Sequence, residues 1–401
     1  MSKLEKILLL ATFTAYGLIT IFSYAYVDLN LTLTKNELVL KIVSSLQQIG
    51  YFNRPQATII FALIIFISFI LFVFNLILAL KGSISIRFIL ISTAISTLVL
   101  FFSYPFLSSD LFNYIFDAKI LLTYHANPYT HKALDFPQDD WIRFMRWTHR
   151  YSPYGPIWLL ISLIPSLIGF GKFITTLFAF KIFIGIFHLL NTWLIYKILK
   201  IINPKQQNLG TAMYGLNPIF LIEGVANAHN DVMLATFILL SVYLFALKKS
   251  SLSIFANLTG TLVKYIPLLN LPILLLFTFK KIGNAKTLII LNFITFALFT
   301  YLYSSFKVSV PFISAGATQV QFQPWYLFWT LPFLALIPSF ATICFSILIS
   351  LGAQFRYLPF LYYGDWTHPG SLNFMMLMVI LPICIFTLLV LIKFKIGHGK
   401  S

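Results

Sequence analysis

Hydrophobic residues run in long unbroken stretches along this chain, and polar residues gather between them. Apolar runs cover 7–26, 57–80, 88–107, 173–196, 209–226, 231–247, 251–264, 266–279, 287–305, 325–339, 341–357 and 373–392. A helix crossing a bilayer uses ~20 apolar residues, so most of these runs predict membrane-spanning helices. The stretches are continuous rather than alternating, which argues against a membrane β-barrel. Two pairs are too tight for ordinary spans. Residues 251–279 and 325–357 each predict two short or tilted helices, or a re-entrant hairpin. The short run 156–170 predicts a segment that enters the membrane without crossing it. Ser23-Tyr24-Ala25 loosely resembles a leader-peptide cleavage site, but the length of the run before it and the many later spans predict a first span. The polar stretches are 27–56, with an amphipathic helix expected near 36–49, then 108–155, 306–324 and 358–372. The expectation is an all-α multi-pass membrane protein: one integral domain over 1–401, with about 10–13 transmembrane helices and helices in its outer loops.

Composition sharpens this picture. Of the 401 residues 59% are hydrophobic and 10% charged, and Phe alone contributes 43. A soluble domain is about half apolar and about a quarter charged, so a soluble or disordered chain is excluded. The net charge of +17 would suggest nucleic acid in a soluble protein. Here it reads as a topology signal, and no nucleic-acid partner is expected. With the N-terminus cytoplasmic, the inner segments hold Lys and Arg from Lys3 through Lys81, Lys197, Lys281 and Lys395 to Lys400, against the single acid Glu5. The remaining acids fall on the outer side or at its edge. Had 156–170 crossed fully, Lys197, Lys200 and Lys205 would face outward. Cys344 and Cys384 lie in apolar runs and read as core residues, with no disulfide framework or metal spacing.

Candidate chemistry therefore gathers on the outer side, with His125, His131, His149, His229 and His368. Asp110 sits where the third span leaves the membrane. It either caps the following helix, alongside Ser108 or Ser109, or acts as a general base meeting a lipid-borne substrate. Asp117 lies two helical turns on, along the same face, and either binds substrate or faces water. Asn127-Pro128-Tyr129 and Tyr154-Gly155-Pro156 combine fixed backbone with aromatic rings suited to an interface or a sugar face. Arg143, Arg146 and Arg150 are spaced to share one cationic helix face. The densest cluster is Glu223, His229, Asn230 and Asp231, set in very apolar sequence, where ionisable groups are costly and usually functional. It reads as a substrate pocket, a polar turn, or a metal site whose remaining ligands are not evident. Lys264 and Arg356 are candidates to meet a phosphate or an outer acid. Trp325 and Tyr326 open a later span as interfacial belt or pocket wall.

These pieces resemble the membrane glycosyltransferases of the GT-C fold that use polyprenyl-phosphate sugars, and more closely their α-mannosyltransferase branch. The resemblance rests on Ser109-Asp110-Leu111-Phe112-Asn113-Tyr114, Asn127-Pro128-Tyr129, Tyr154-Gly155-Pro156, Asn217-Pro218 through His229-Asn230-Asp231, Lys264-Tyr265-Ile266-Pro267 and Pro324-Trp325-Tyr326. It implies that Asp110 is the catalytic base. Many relatives place that loop after the first span, whereas further spans precede it here. The expected reaction moves a hexose, with mannose as the expected sugar, from a polyprenyl-phosphate donor to a lipid-linked or glycan acceptor by inverting displacement. The expected substrate-binding set is Asn113, Tyr114, Asp117, Asn127, Tyr129, Arg150, Tyr154, Glu223, His229, Asn230, Asp231, Lys264, Trp325, Tyr326 and Arg356, with no cofactor and no metal. The expected setting is the cell membrane, active face extracytoplasmic. The rival is a transporter or flippase of a lipid-linked sugar, which would favour internal repeats and polar groups along a path.

Overall fold

The computed structural model describes residues 1–280, 283–305, 322–366 and 368–398. Among the described residues seventeen α-helices follow one another: α1 (Lys3–Ser23), α2 (Glu37–Phe52), α3 (Arg54–Leu80), α4 (Ile86–Phe101), α5 (Asp110–Leu122), α6 (Pro156–Ile168), α7 (Phe173–Ile202), α8 (Gln207–Gly215), α9 (Pro218–Leu221), α10 (Asp231–Ala246), α11 (Ser250–Thr261), α12 (Leu271–Lys280), α13 (Ala285–Ser305), α14 (Leu331–Leu336), α15 (Phe340–Phe355), α16 (Leu358–Tyr363) and α17 (Pro369–His398). No strand occurs among the described residues. Helix starts follow local chemistry. Ser2 and Glu5 form a reciprocal cap on α1, Asn53 caps α3 ahead of Pro55, and Ser339 caps α15.

Six helical segments among the described residues are long and apolar enough to cross a membrane: Lys3–Tyr26, Arg54–Leu80, Phe173–Ile202, Ala285–Ser304, Phe340–Tyr363 and Pro369–Lys393. A seventh would be Pro218–Ala226 with Asp231–Ala246, bent by 120° at its break. Ile86–Phe101, Pro156–Ile168 and Ile266–Lys280 are shorter apolar helices. The protein is an all-α multi-pass membrane protein; among the described residues six segments, or seven if the bent pair is one span, are long and apolar enough to cross.

Several boundaries differ from the sequence expectation, each for a physical reason. The run 88–107 is helical only to Phe101, because Pro105 cannot supply an amide to a continuing helix. The run 209–226 is three pieces: α8, α9 and a π-helical turn, Ile222–Ala226. The run 325–339 is a 3₁₀ turn, Pro324–Trp329, followed by α14. Arg143, Arg146 and Arg150 share no helix face, since a 3₁₀ turn ends at Phe144 and Met145 is extended. The amphipathic helix near 36–49 is present as α2, and the pair within 251–279 is α11 followed by a 3₁₀ turn and α12. Lys281, Lys400 and most of 306–324 lie outside the described residues.

The long helix α7 is the hub, packing on α4, α6, α8 and α10. At one end Glu5 accepts from the Ser85 amide (2.9 Å) and hydroxyl (2.7 Å), joining the starts of α1 and α4. At the other end, residues near 26–28, 51–54, 104–112, 144–147, 323–325 and 356–366 surround one cavity. The 108–155 loop has its own small core around Phe116, Ile120 and Ala133. Asp139 ties that loop together, pairing with Lys119 at 2.6 Å and accepting from the Tyr124 hydroxyl at 2.6 Å.

Gly155 docks α6 onto the turn that leads to Lys264. Its amide donates to the Val263 carbonyl (3.0 Å), and the Ile157 amide donates to that of Leu262 (3.0 Å). A Cβ at 155 would strike the Leu262 carbonyl. Gly155→Ala is expected to destabilise the fold by roughly 1–3 kcal/mol, as overpacking does, read as a lowered unfolding temperature of the detergent-purified protein. An unchanged midpoint would show that this junction yields without cost.

Candidate active site

Two segments meet at the cavity end. The first leaves α4, runs extended through Tyr104-Pro105-Phe106, and starts α5 at Asp110. The Asp110 amide donates to the Ser108 hydroxyl (3.2 Å), while Ser109 makes no side-chain cap. The Asp110 carboxylate thus lies in the first turn of α5, where unpaired amides favour negative charge. The second segment is the break between α9 and α10. Pro218 starts α9 under an Asn217 cap, and the π turn closes through the Asn227 amide to the Ile222 carbonyl (2.8 Å). Ala228 then takes φ 56°, the left-handed region that residues with a Cβ rarely adopt. Strain of that kind persists only where the surroundings hold it. The Asn227 side chain links the two segments, accepting from the Leu107 amide at 3.2 Å.

The groups so presented form a chain. His229 Nδ1 lies 3.5 Å from Asp110 Oδ2, and Nε2 lies 3.5 Å from Glu223 Oε2. Glu223 also accepts from Asn227 Nδ2 (3.1 Å) and Gln354 Nε2 (2.9 Å). Trp325 stacks on the His229 ring, centroids 4.0 Å apart at 21°. Glu223, His229, Asn230 and Asp231 are all 0% exposed, whereas the Asp110 side chain keeps 22% exposure. Asp110 is therefore the member of the chain that meets the cavity. Burial pushes its carboxyl up, but the hydrogen bond and charge of His229, aided by Lys264 and Arg150, win and hold it below the usual range.

Beside this chain Asp231 is fixed by Lys264 Nζ (2.7 Å) and by the Trp329 indole (2.7 Å). Of the two roles open to Lys264, the partnership with an acid is formed. Tyr114 donates to Asn230 Oδ1 (3.2 Å) and packs edge-on against Tyr154 and Trp158, centroids 5.0 Å and 4.9 Å away. Tyr326 stacks on Trp329 at 4.3 Å. Asn113 and Asp117 continue the Asp110 face of α5, and each has a buried oxygen without a hydrogen-bond partner. Burial raises the Asp117 carboxyl to about 7, with Ser152 pulling the other way.

Not every expected residue converges here. Asn127 and Tyr129 form an exposed turn whose Tyr129 hydroxyl donates to the Tyr154 carbonyl at 2.7 Å, a supporting contact one step removed. Arg150 is exposed and lies over Trp147. His125, His131, His149 and His368 are exposed, so only His229 of that group joins the cluster. Among the described residues no group of three or more His, Cys, Asp and Glu is arranged to hold a metal ion.

The cavity is about 890 Å³ and carries Asp110 on its wall. Three arginines line it: Arg54 at the start of α3, Arg146 in the loop, and Arg356 after α15. Arg356 donates to Gln323 at 3.2 Å and lies over Trp366. Arg54 packs against Gly364, whose φ of 74° suits glycine; a Cβ there would lie 2.5 Å from the guanidinium carbon. Trp147, Trp325 and Trp366 complete the aromatic lining. Sequence reasoning missed Arg54, Gln354 and the buried Lys181. Lys181 did carry a signal: it is a lone charge within an apolar run.

The bundle brings an acid, an imidazole, arginines and tryptophans to one end, and the family it matches places it among membrane mannosyltransferases of the GT-C type. The family described as alpha-(1->6)-mannopyranosyltransferase, N-terminal domain (the MptA_B family) matches residues 16–280, and the chain belongs to it. It is an α-mannosyltransferase, acting on a sugar donor and a glycan acceptor. Comparison with the curated proteins and with the solved structures finds no match.

The raised Asp117 carboxyl gives a stability prediction. An ordinary aspartate ionises near 3.9 in the unfolded chain, whereas the fold holds this proton until about 7. The proton therefore favours the folded state fully at low pH. That advantage shrinks as pH rises through the window and stops changing above about 7. Asp117→Asn should accordingly gain thermal stability relative to wild type between those limits, with the difference level above them. A melting-temperature difference independent of pH would contradict this.

Proposed function

We propose that the protein transfers mannose from a polyprenyl-phosphate donor to a hydroxyl of a lipid-linked or glycan acceptor, at the extracytoplasmic face of the cell membrane. The observation that carries this reading is the sharing of one cavity by Asp110 and three arginines. Asp110 takes the proton of the acceptor hydroxyl, and the acceptor oxygen attacks the anomeric carbon. The bond from that carbon to the phosphate oxygen breaks, and the polyprenyl phosphate leaves with the electron pair. Arg54, Arg146 and Arg356 meet the charge that develops on the leaving phosphate. Donors fixed in place before the reaction lower such a barrier most effectively. His229 orients Asp110, and Glu223 orients His229 from behind. Asp231, fixed by Lys264 and Trp329, and Asn230, met by Tyr114, back the site from within the protein. Trp325 offers a flat face to the ring on the cavity wall, and Arg150 guides the approach from the surface.

A single displacement inverts the anomeric centre. An α-mannosyl product therefore requires a β-linked mannosyl phosphate. The test uses purified protein, radiolabelled β- and α-linked polyprenyl-phosphate mannose, and a membrane glycolipid extract as acceptor. Wild type should transfer from the β donor alone. Asp110→Asn should lose roughly 10²–10⁴-fold in rate, the span usual for a lost acid–base group. Transfer from the α donor would exclude the single displacement. Transfer surviving in Asp110→Asn would move the base elsewhere. Translocation of lipid across liposomes with no new glycosidic bond would favour the flippase.

A second expectation concerns the arginines. Arg146→Met and Arg356→Met should weaken capture of the donor, seen as a raised donor KM with acceptor KM unmoved. Equal effects on both substrates would remove these residues from the phosphate.

The pH profile supplies a third check. Catalysis needs ionised Asp110, so activity is present above its pKa and falls as pH drops through it. His229 holds that pKa down. In His229→Gln the acid limb of kcat/KM should therefore move to higher pH, on top of any fall in the plateau. A limb that stays in place would separate His229 from the base.

A further inference from the structure

Lys181 lies in the first third of α7 and is 0% exposed, between Phe180 and Ile182 in an apolar run. Its Nζ donates to the Val225 carbonyl (3.0 Å), the Ala226 carbonyl (2.6 Å) and the Ser103 hydroxyl (3.0 Å). An ammonium group has three protons, and three acceptors meet them. The ion pairs found among the described residues involve Lys119, His229 and Lys264 rather than this lysine. A buried lysine with only neutral acceptors is an expensive way to fill space, and a methionine would fill it at less cost.

The positions of the three acceptors give that cost a use. Val225 and Ala226 close the π turn, and the helix break would leave their carbonyls unpaired, at the negative end of the segment's dipole. Ala226 stands three residues before His229. Ser103 stands on the other segment, just after α4, where the chain sets out toward Asp110. One nitrogen therefore ties the connection that delivers the base to the turn that delivers its partner. Further along, the same two parts of the chain also meet through the Leu107 amide to Asn227, Tyr114 to Asn230 and the Asp110–His229 contact.

We propose that Lys181 is a positioning residue that keeps the Asp110-bearing and His229-bearing segments in register; this rests on the reading of Asp110 as the base. It touches no substrate and acts through the backbone at 225–226 and through Ser103. The 3.5 Å approach of His229 to Asp110 depends on that register. Misplacement of a catalytic group by about 1 Å can cost on the order of 10²-fold in rate.

The test combines hydrogen exchange with kinetics on the full chain in detergent, comparing wild type, Lys181→Met, Lys181→Arg, Ser103→Ala and Asp110→Asn. Lys181→Met should speed amide exchange at 102–109 and 222–230 while leaving the ends of α7 as in wild type. It should lower kcat by about 10- to 100-fold with donor KM little changed, the signature of lost alignment rather than lost binding. Lys181→Arg keeps hydrogen-bond donors at this position and should recover part of both signals. Ser103→Ala should shift both in the same direction by less, and it carries the test if Lys181→Met does not fold. Wild-type exchange in both segments of Lys181→Met overturns the proposal. Faster exchange with kcat intact, where Asp110→Asn is inactive, overturns it as well. If instead Asp110→Asn remains active, the base assignment fails by itself. Exchange then decides the register, with faster exchange in both segments supporting the tie and unchanged exchange ending it.

Discussion

Polar groups taken into an apolar bundle have no water to turn to, so each must be matched by another group of the protein. The break between Pro218–Ala226 and Asp231–Ala246 concentrates that demand. A 120° bend frees backbone carbonyls and amides, and the five polar side chains of Glu223, Asn227, His229, Asn230 and Asp231 are sealed there. The surrounding structure answers group by group. Lys181 takes the carbonyls, the Leu107 amide takes Asn227, Gln354 takes Glu223, and Lys264 with Trp329 takes Asp231. These partners come from α7, the α4–α5 connection, α15, the α11–α12 turn and the 324–329 turn. The helices of the bundle are thus located by what the bend requires of them.

The same matching sets up an asymmetry in the site. Glu223 and Asp231 are hydrogen-bonded within the protein, and both are sealed away together with His229. Asp110 is joined to the network on one side only and keeps part of its carboxylate toward the cavity. A reactive group needs this combination of fixed orientation and an open face. The arginines across the cavity come from three distant parts of the chain, so the cationic wall forms only when the whole bundle is assembled.

Much of this was legible in the sequence. Continuous apolar runs gave the class, and the confinement of acids and histidines to particular connections pointed to one working end. The segment 217–231 stood out because ionisable residues within apolar sequence are too costly to be incidental. Where reading the sequence failed, tertiary geometry had overruled local pattern. The spacing of Arg143, Arg146 and Arg150 fits a helix, yet the chain turns at Phe144. The runs 209–226 and 325–339 are apolar enough to span, but their Pro and Gly residues and their partners break them into short turns. Arg54 stands at the head of a span, where nothing in the local pattern marks it. It reaches the cavity beside Gly364, far away along the chain. Hydropathy shows which segments enter the membrane, but not which of their ends face each other.

The contact between Arg54 and Gly364 also limits how this chain can vary. Gly364 ends α16 in a left-handed turn, and the guanidinium of Arg54 occupies the space a side chain would take. Two positions at opposite ends of the sequence are therefore not independent. A chain that gains any side chain at 364 must both strain that turn and evict the cation, whereas one that loses the arginine relaxes only half the restriction. Drift at this pair is biased: losing the arginine clears the space, while the left-handed turn resists a side chain at 364 whichever change comes first. A cavity that had lost its cation in this way would still look well packed, and its altered charge preference would be its only outward sign.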